Sequence, residues 1–243
     1  MTGFGRIPDP PDPRDHLYRQ MVQPTAIPRP ATRRASYLGP ILDQGPTPHC
    51  VAYAATGARN RHERIEQGSF VFGSHAGSYQ PGANPSAEWL YAECKKIDGY
   101  PGDGTNARAA LTVMAGKGLR GPGTTSNQYY KIGQYARLQT IDEILEAIYL
   151  HGPVLLGMDV DSNWRQPTGG RIGQPNNMII GGHEIEAVGY RDQTTLPERD
   201  RGLWIKNSWG ASWGASGYAR LPFTHLDAYP GWDAWWVEDT PNM

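Results

Sequence analysis

Residues 44–58, QGPTPHCVAYAATGA, place a cysteine where a loop gives way to a helix. Pro46 and Pro48 disfavour a helix before Cys50, because proline fixes φ and lacks an N–H, while the alanines after it favour one. We therefore expect Cys50 at a helix N-terminus, where the positive end of the helix stabilises a thiolate. A cysteine between small apolar residues is more often a buried structural thiol. The rest of the chain has to decide between a nucleophile and a core residue.

The composition indicates a globular protein with no electrostatic preference for a charged polymer. The 243 residues carry a formal net charge of -1, and 38% of them are hydrophobic. That content suits one large core or two smaller lobes. We expect no nucleic-acid partner and no membrane partner, and the sequence leaves the oligomeric state open.

The sequence also bears on the compartment. It contains neither a Sec-type signal peptide nor an apolar run long enough to span a bilayer. Two cysteines are too few for a disulfide scaffold, so the fold should hold in a reducing compartment. A cytoplasmic location is the default expectation, with non-classical export or incorporation in a larger particle left open.

Residues 1–36 are predicted to form a proline-rich arm or short leader. They contain seven of the 21 prolines and show no apolar period that would build a core. We expect Ile7, Leu17, Tyr18 and Ile27 to pin the arm to the body, where it contributes to the fold or to latency. A disordered leader is the equal alternative.

A long helix is predicted to begin at Cys50. Apolar residues recur with a helical period from Val51 to Ile65, and Arg59 and Glu63 fall on the polar side of that pattern. We therefore expect this helix to be half-buried.

Three further helices complete the helical pattern. The first is expected to have Ser86 as its N-cap and to carry Cys94 in the core. The second is expected over residues 107–116. The third begins at Thr140, which with Glu143 three residues later forms a capping box.

Beyond Pro153 the pattern changes to strands separated by glycine-rich turns. The predicted strands are Val154–Val160, Ile185–Tyr190, Leu203–Lys206 and Tyr218–Leu221. The fold class is therefore α+β, with a helical lobe over about 50–135 and a β lobe over about 136–243. Ligand sites favour the cleft between such lobes.

Two residues of the β half are candidates to activate the thiol. A nucleophilic cysteine needs a base within hydrogen-bond reach and a third group that orients the base. His183 opens a predicted strand directly after two glycines, and Asn207 follows the strand that ends at Lys206. Taken alone, each is more often a structural residue than a catalytic one.

Together, the three residues and their flanks resemble the papain-like cysteine peptidases. Gln44-Gly45 precedes Cys50, a Gly-His pair opens the strand that contains AVGY, and residues 207–218 read NSWGASWGASGY. Cysteine, histidine and asparagine occur in the family's order. The resemblance covers about residues 37–243, and IPDPPDPRDHLY in the arm is similar to the short leader of bacterial members.

The resemblance implies a two-lobed papain-like fold and a cysteine endopeptidase that acts through a thiolate–imidazolium pair and an acyl-enzyme. Cys50 would be the nucleophile, His183 the base and Asn207 the group that holds the imidazole. Gln44 and the backbone N–H of Cys50 would form the oxyanion hole. The substrate would be a peptide or protein, with no metal and no other cofactor.

The resemblance also implies supporting residues. Trp209 would shield the hydrogen bond between the imidazole and its orienting amide. The turn of residues 102–105, which contains Gly102, Asp103 and Gly104 and ends at Thr105, would line the substrate groove together with Gly182 and pair with extended peptide backbone. An ordinary surface turn is an equal alternative for residues 102–105.

The chain departs from the family pattern near the nucleophile. Val51 replaces the usual aromatic residue, and the earlier cysteine that commonly makes a disulfide is missing, which leaves Cys94 unpaired. Two alternatives to an endopeptidase remain open: an idle papain fold serving a larger assembly, and an amidase or transpeptidase acting on cell-wall peptides.

One pattern is unlike the family. Strand alternation puts Glu184 and Glu186 on the strand face opposite His183, where related sequences usually carry apolar residues. Two carboxylates one pleat apart resist burial. We expect this face to be solvated or to meet arginines.

Overall fold

The structure is a computed structural model that describes residues 3–23, 28–69, 71–72, 80–122 and 127–239. Its helices are α1 (Tyr18–Met21), α2 (Cys50–Gln67), α3 (Pro85–Cys94), α4 (Ala107–Gly116), α5 (Ile141–Leu150) and α6 (Thr224–Ala228). Its strands are β1 (Thr32–Arg34), β2 (Leu119–Arg120), β3 (Tyr129–Tyr130), β4 (Gln134–Leu138), β5 (Val154–Asp161), β6 (Ile179–Arg191), β7 (Gly202–Lys206), β8 (Tyr218–Pro222) and β9 (Asp233–Glu238).

A seven-stranded antiparallel sheet organises the second half of the chain. Its order is β4-β9-β5-β6-β7-β8, and β1 pairs with the outer part of β6. Strand β6 is the longest and pairs with both β5 and β7. It starts at Ile179, six residues earlier than the sequence indicated, because its first residues pair with the end of β5.

Two large apolar clusters form most of the interior of the described part of the chain, beside a small cluster of Leu42, Tyr53 and Ala87. One packs α5 and α6 against the sheet, and the other packs α2, α3 and α4 against one another and against Leu155, Trp235 and Val237 of the sheet. The predicted α+β, two-lobed architecture is therefore confirmed. Cys94 is fully buried in the helical cluster with a free thiol.

Helix α2 is more deeply buried than its sequence pattern indicated. All its residues from 50 to 60 are buried, whereas Ile65 is 53% exposed. Arg59 is buried because its guanidinium pairs with Glu63 one turn later, at 2.6 Å, and with Asp239. The prediction of a half-buried helix is wrong, since these ion pairs allow the polar side to be enclosed.

The predicted N-cap is confirmed for α5 and is wrong for α3. Thr140 caps α5 by accepting the N–H of Glu143 at 3.1 Å, as predicted. Helix α3, however, is capped by Asn84, whose side chain accepts the N–H groups of Ser86 and Ala87. Ser86 lies inside the first turn, because Pro85 takes the N1 position that proline favours.

Both glutamates of β6 are buried, and each faces a cation. Glu186 accepts a hydrogen bond from Lys206 at 2.7 Å, and Gly57 of α2 lets the helix pack directly on this pair. Glu184 is fully buried beside Arg6 of the arm. The expectation of a solvated face is wrong. The expectation of arginine partners is right for Glu184 and wrong for Glu186, whose partner is Lys206.

The described residues of the arm pack along the body. Tyr18 is fully buried and meets the ring of Trp236 edge-on, with ring centroids 5.6 Å apart. Strand β1 extends the main sheet, while Ile7 and Leu17 are half-buried. Ile27 lies outside the described residues. Within the described ranges, no helix is both long and apolar enough to cross a bilayer.

Candidate active site

Cys50 is the first residue of α2, so the proline-rich loop before it and the alanine-rich helix after it place the thiol at a helix N-terminus. The side chain is fully buried between the helix and β6. The backbone of Glu184 lies close enough to the sulfur to favour its ionised form, and the neighbouring His183 of β6 is therefore near the same point. Residues 133 positions apart in sequence thus share one site.

His183 and Asn207 are joined by a hydrogen bond. Nε2 of His183 lies 2.8 Å from Oδ1 of Asn207, which also accepts the backbone N–H of Ser208 at 2.8 Å. Because Oδ1 only accepts, the proton of a neutral imidazole sits on Nε2. Nδ1 is buried without a hydrogen-bond partner among the described residues. This nitrogen is therefore the one available to take a proton from a thiol.

Trp209 covers the imidazole. Its ring lies 4.5 Å from that of His183, centroid to centroid, with 30° between the planes. Only 6% of Trp209 is exposed. The indole excludes water from the His183–Asn207 bond, and this desolvation strengthens the bond.

The side chain of Gln44 is fully buried and fixed at both ends. Its Oε1 accepts a hydrogen bond from Oγ of Ser208 at 2.7 Å. Its Nε2 donates to the carbonyl oxygens of Thr47, at 2.8 Å, and Gly3, at 3.2 Å. The amide is thus oriented by the Asn-Ser-Trp-Gly segment, and one of its donors is engaged by the arm.

Short backbone pairing joins the two lobes next to the site. The N–H of Gln44 donates to the carbonyl of Ser208 at 2.9 Å, and the N–H of Gly210 donates to the carbonyl of Leu42 at 3.1 Å. These bonds fix the loop before Cys50 relative to the segment after β7. The relative positions of Gln44 and Asn207 therefore depend on backbone geometry.

The N-terminal arm runs through the cleft as an extended strand. The N–H of Arg6 donates to the carbonyl of Gly182 at 3.2 Å, and the N–H of Ile7 donates to the carbonyl of Thr105 at 2.8 Å. Thr105 returns a hydrogen bond to the carbonyl of Gly5 at 2.9 Å. The arm is thus paired on both sides, as an extended peptide substrate would be.

Only part of the turn predicted to line the substrate groove contacts the arm. Gly104 lies against the arm: its φ of +93° favours glycine, and a Cβ there would stand 2.4 Å from the carbonyl oxygen of Gly5. Gly102 and Asp103 are exposed. The backbone pairing to the arm is made by Thr105, the last residue of the predicted turn.

The two glycines before His183 give the arm room. A Cβ on Gly182 would stand 2.6 Å from the carbonyl oxygen of Arg6, and one on Gly181 would stand 2.6 Å from the ring of Phe4. Phe4 meets the rings of His183 and Trp209 edge-on, with centroids 6.3 Å and 5.8 Å apart. The arm thereby caps the imidazole.

With the arm in place, the cysteine and histidine are held in their neutral forms. Burial raises the pKa of the Cys50 thiol to about 12, although backbone hydrogen bonding from Glu184, Gly5 and Val51 opposes this. Burial lowers the pKa of His183 to about 4, against the opposing effect of the bond to Asn207. Both shifts have the same main cause, which is removal of the site from water.

Several residues of the site were not identified from the sequence. Ser208 lies inside the Asn-Ser-Trp-Gly segment, and that segment was the available signal for it. No sequence pattern identified Phe4, Gly5 and Arg6 as residues of the site, because nothing local in the arm indicates which part of the protein it packs against. Among the described residues, no group of three histidine, cysteine or carboxylate side chains is arranged to hold a metal ion.

Comparison with known proteins finds one family. Residues 104–225 match the model of the papain family cysteine proteases. The match contains His183 and Asn207. Cathepsin J of Mus musculus is 26% identical over 211 residues, which are 79% of this chain and 59% of the cathepsin. The chain thus spans about three fifths of the length of this relative.

Solved structures extend the likeness to nearly the whole chain. Xylellain, a cysteine protease from Xylella fastidiosa, superposes with a TM-score of 0.75 at 25% identity, covering 98% of this chain and 97% of xylellain. Digestive procathepsin L2 proteinase from the larval midgut of Tenebrio molitor superposes with a TM-score of 0.70 at 20% identity, covering 98% of this chain and 78% of that protein. The second likeness concerns the fold alone.

Proposed function

Because the chain belongs to the papain family of cysteine proteases, we propose that it is a cysteine endopeptidase with Cys50 as nucleophile, His183 as base and Asn207 as the residue that orients the base. The substrate is a peptide or protein. The observation that carries this assignment is the 2.8 Å bond from Nε2 of His183 to Asn207, which leaves Nδ1 as the buried acceptor.

In the proposed reaction, Nδ1 of His183 takes the proton of the Cys50 thiol as the sulfur attacks the carbonyl carbon of the scissile bond. Nε2 of Gln44 and the backbone N–H of Cys50 stabilise the resulting oxyanion. The amine leaves with the proton held by His183, and a thioester remains on the sulfur. Water, deprotonated by His183, then attacks the thioester, releases the acid and restores the thiol.

Residues 3–9 hold this site in a latent state. They bury the sulfur, engage the amide of Gln44 and place the backbone of Gly5 close to the sulfur. The thiolate–imidazolium pair forms when this segment withdraws and water re-enters, since burial is the main cause of both pKa shifts.

The comparisons support a peptidase over an idle fold, since the relatives are named as proteases. The test is cleavage of a mixed peptide library by the wild-type chain and by Cys50→Ala, read by mass spectrometry. Peptide-bond hydrolysis by the wild type alone supports the proposal. Equal product from both chains, or none from either under conditions that alkylate Cys50, overturns it.

A further inference from the structure

The side chain of Arg6 is buried in a pocket beside the nucleophile. Only 1% of this side chain is exposed. The guanidinium pairs with Asp233 and donates to the carbonyl oxygen of Gly231 at 2.8 Å. Asp159 lies at the rim, 4.0 Å from Nη1 and 53% exposed. The pocket is therefore built for a long, positively charged side chain.

The second carboxylate of the pocket is Glu184. It is fully buried, and neither of its carboxylate oxygens has a hydrogen-bond partner among the described residues. A buried carboxylate without a donor is costly, and a cation in the pocket offsets that cost. Arg6 is the cation that faces it.

The floor of the pocket is open because residue 157 of β5 is glycine. A Cβ at Gly157 would stand 2.5 Å from Oε2 of Glu184, 2.8 Å from Nε of Arg6 and 2.9 Å from Oδ1 of Asp233. The glycine thus marks the point where both carboxylates and the guanidinium meet. Any larger residue there would close the pocket.

The pocket and its surroundings contain more carboxyl groups than guanidinium groups. Burial raises the pKa values of Glu184 and Asp233, and burial with repulsion from Asp233 raises that of Asp9 to about 6. The two pocket carboxylates belong to the body of the protein, while Arg6 belongs to the arm. Withdrawal of the arm leaves them facing the cleft without their cation.

We propose that Glu184 and Asp233 form a specificity pocket for a basic side chain of the substrate, and that Arg6 fills this pocket in the resting protein. The inference rests on the proposed peptidase function. The selected residue lies within two positions of the scissile bond, because the backbone of Gly5, the neighbour of Arg6, lies close to the sulfur of Cys50. Gly157 leaves the floor of the pocket open, while Asp159 lies outside it at the solvent-exposed rim.

The first test measures kcat/KM of the full chain on peptide pairs that differ only by arginine or norleucine, at each of the positions next to the cleaved bond. We expect arginine to be preferred on the order of 10²-fold at one position, the scale of a buried charge pair. Glu184→Gln and Asp233→Asn should each remove most of this preference, because each substitution takes away one of the charges that face the arginine. A preference for norleucine, or an arginine preference that survives both substitutions, overturns the inference.

A matched control distinguishes the effect of the buried carboxylates from the effect of negative charge near the site in general. Asp159→Asn removes a carboxylate of the same type at the exposed rim. We expect the preference for arginine over norleucine to change by less than about threefold, because solvent screens this charge. Gly157→Ala fills the floor without changing charge and should lower cleavage of the arginine peptide. A loss of preference in Asp159→Asn as large as that in Asp233→Asn would contradict a buried pocket.

The second test does not depend on catalysis. In the full-length double variant Cys50→Ala/Arg6→Ala, calorimetry should show the arginine peptide binding at least about tenfold more tightly than its norleucine partner. A thermal melt checks that the variant is folded. Selective binding without cleavage by the wild type would overturn the proposed function alone. Cleavage by the wild type with no basic preference in either assay would overturn the pocket alone.

Discussion

Nε2 of Gln44 donates a hydrogen bond to the carbonyl oxygen of Gly3 at 3.2 Å. The amide proposed to stabilise a developing oxyanion is thus already engaged by a carbonyl of the protein's own arm. The same arm buries Cys50 and caps His183 with Phe4. The proposed catalysis and the proposed latency therefore depend on the same donor, Nε2 of Gln44.

Gln44→Ala should lower kcat by roughly 10²-fold with little change in KM, because an oxyanion donor acts in the transition state rather than on the bound substrate. Gln44→Glu keeps the shape of the side chain but removes the NH₂ donor, and it should be as slow. Steady-state kinetics on one peptide substrate measures both variants. A change confined to KM would show that Gln44 only binds substrate.

Gly5→Ala should increase turnover of a small peptide. A Cβ at this position would stand 1.8 Å from the carbonyl oxygen of Pro48, so the substitution is incompatible with the docked arm. The matched control is Pro8→Ala, which changes an exposed arm residue and should leave turnover at the wild-type value. Equal turnover in wild type and Gly5→Ala would show that the arm does not limit access.

Docking of the arm should weaken as the pH rises. Burial and repulsion from Asp233 raise the pKa of Asp9 from 3.8 to about 6 in the docked state. A raised pKa means that the docked state binds the proton more tightly than the released state. The contribution of Asp9 to docking is therefore fully present below about pH 4 and is lost as the pH rises through about 6.

Asp9→Asn mimics the protonated carboxyl and provides the measurement. The ratio of wild-type turnover to that of Asp9→Asn should be near one at pH 4 and should rise by roughly ten- to a hundredfold towards pH 7. Taking this ratio cancels the pH dependence of the catalytic residues themselves. A ratio that stays constant or falls with rising pH would contradict the prediction that docking of the arm weakens as the pH rises.

Glu186→Leu should destabilise the protein by about 3–5 kcal/mol, because it leaves the buried ammonium of Lys206 without its partner. The double variant Glu186→Leu/Lys206→Met removes both charges and should recover most of that loss. Denaturant unfolding measures the free energies. Equal stabilities for the single and double variants would show that the two charges do not stabilise each other between β6 and β7.

The sequence predicted those features of the fold in which residues a few positions apart determine the local structure. The prolines before Cys50 and the alanines after it set the start of α2, and the cap at Thr140 follows from its hydroxyl and from Glu143. Such features depend on residues a few positions apart. They hold in the structure because no long-range contact opposes them.

Long-range pairing explains what the sequence did not predict. Arg59 fits a solvated helix face by its type, but its partner Asp239 lies 180 positions away. Glu184 is enclosed by an arginine from the arm, which no strand pattern indicates. Asn84 and Ser86 both suit an N-cap, and Pro85 decides between them through its preference for the first helical turn.

The most direct test of the account is the relation between alkylation of Cys50 and loss of peptidase activity. The protein is titrated with a thiol-directed epoxide, the adduct is located by peptide mass mapping, and residual hydrolysis is measured at each step. We expect activity to fall linearly to zero as Cys50 is modified to one adduct per chain, with Cys94 unmodified, and the reaction to be faster in Gly5→Ala than in wild type. Retention of full activity by a chain in which Cys50 is completely modified would contradict the account.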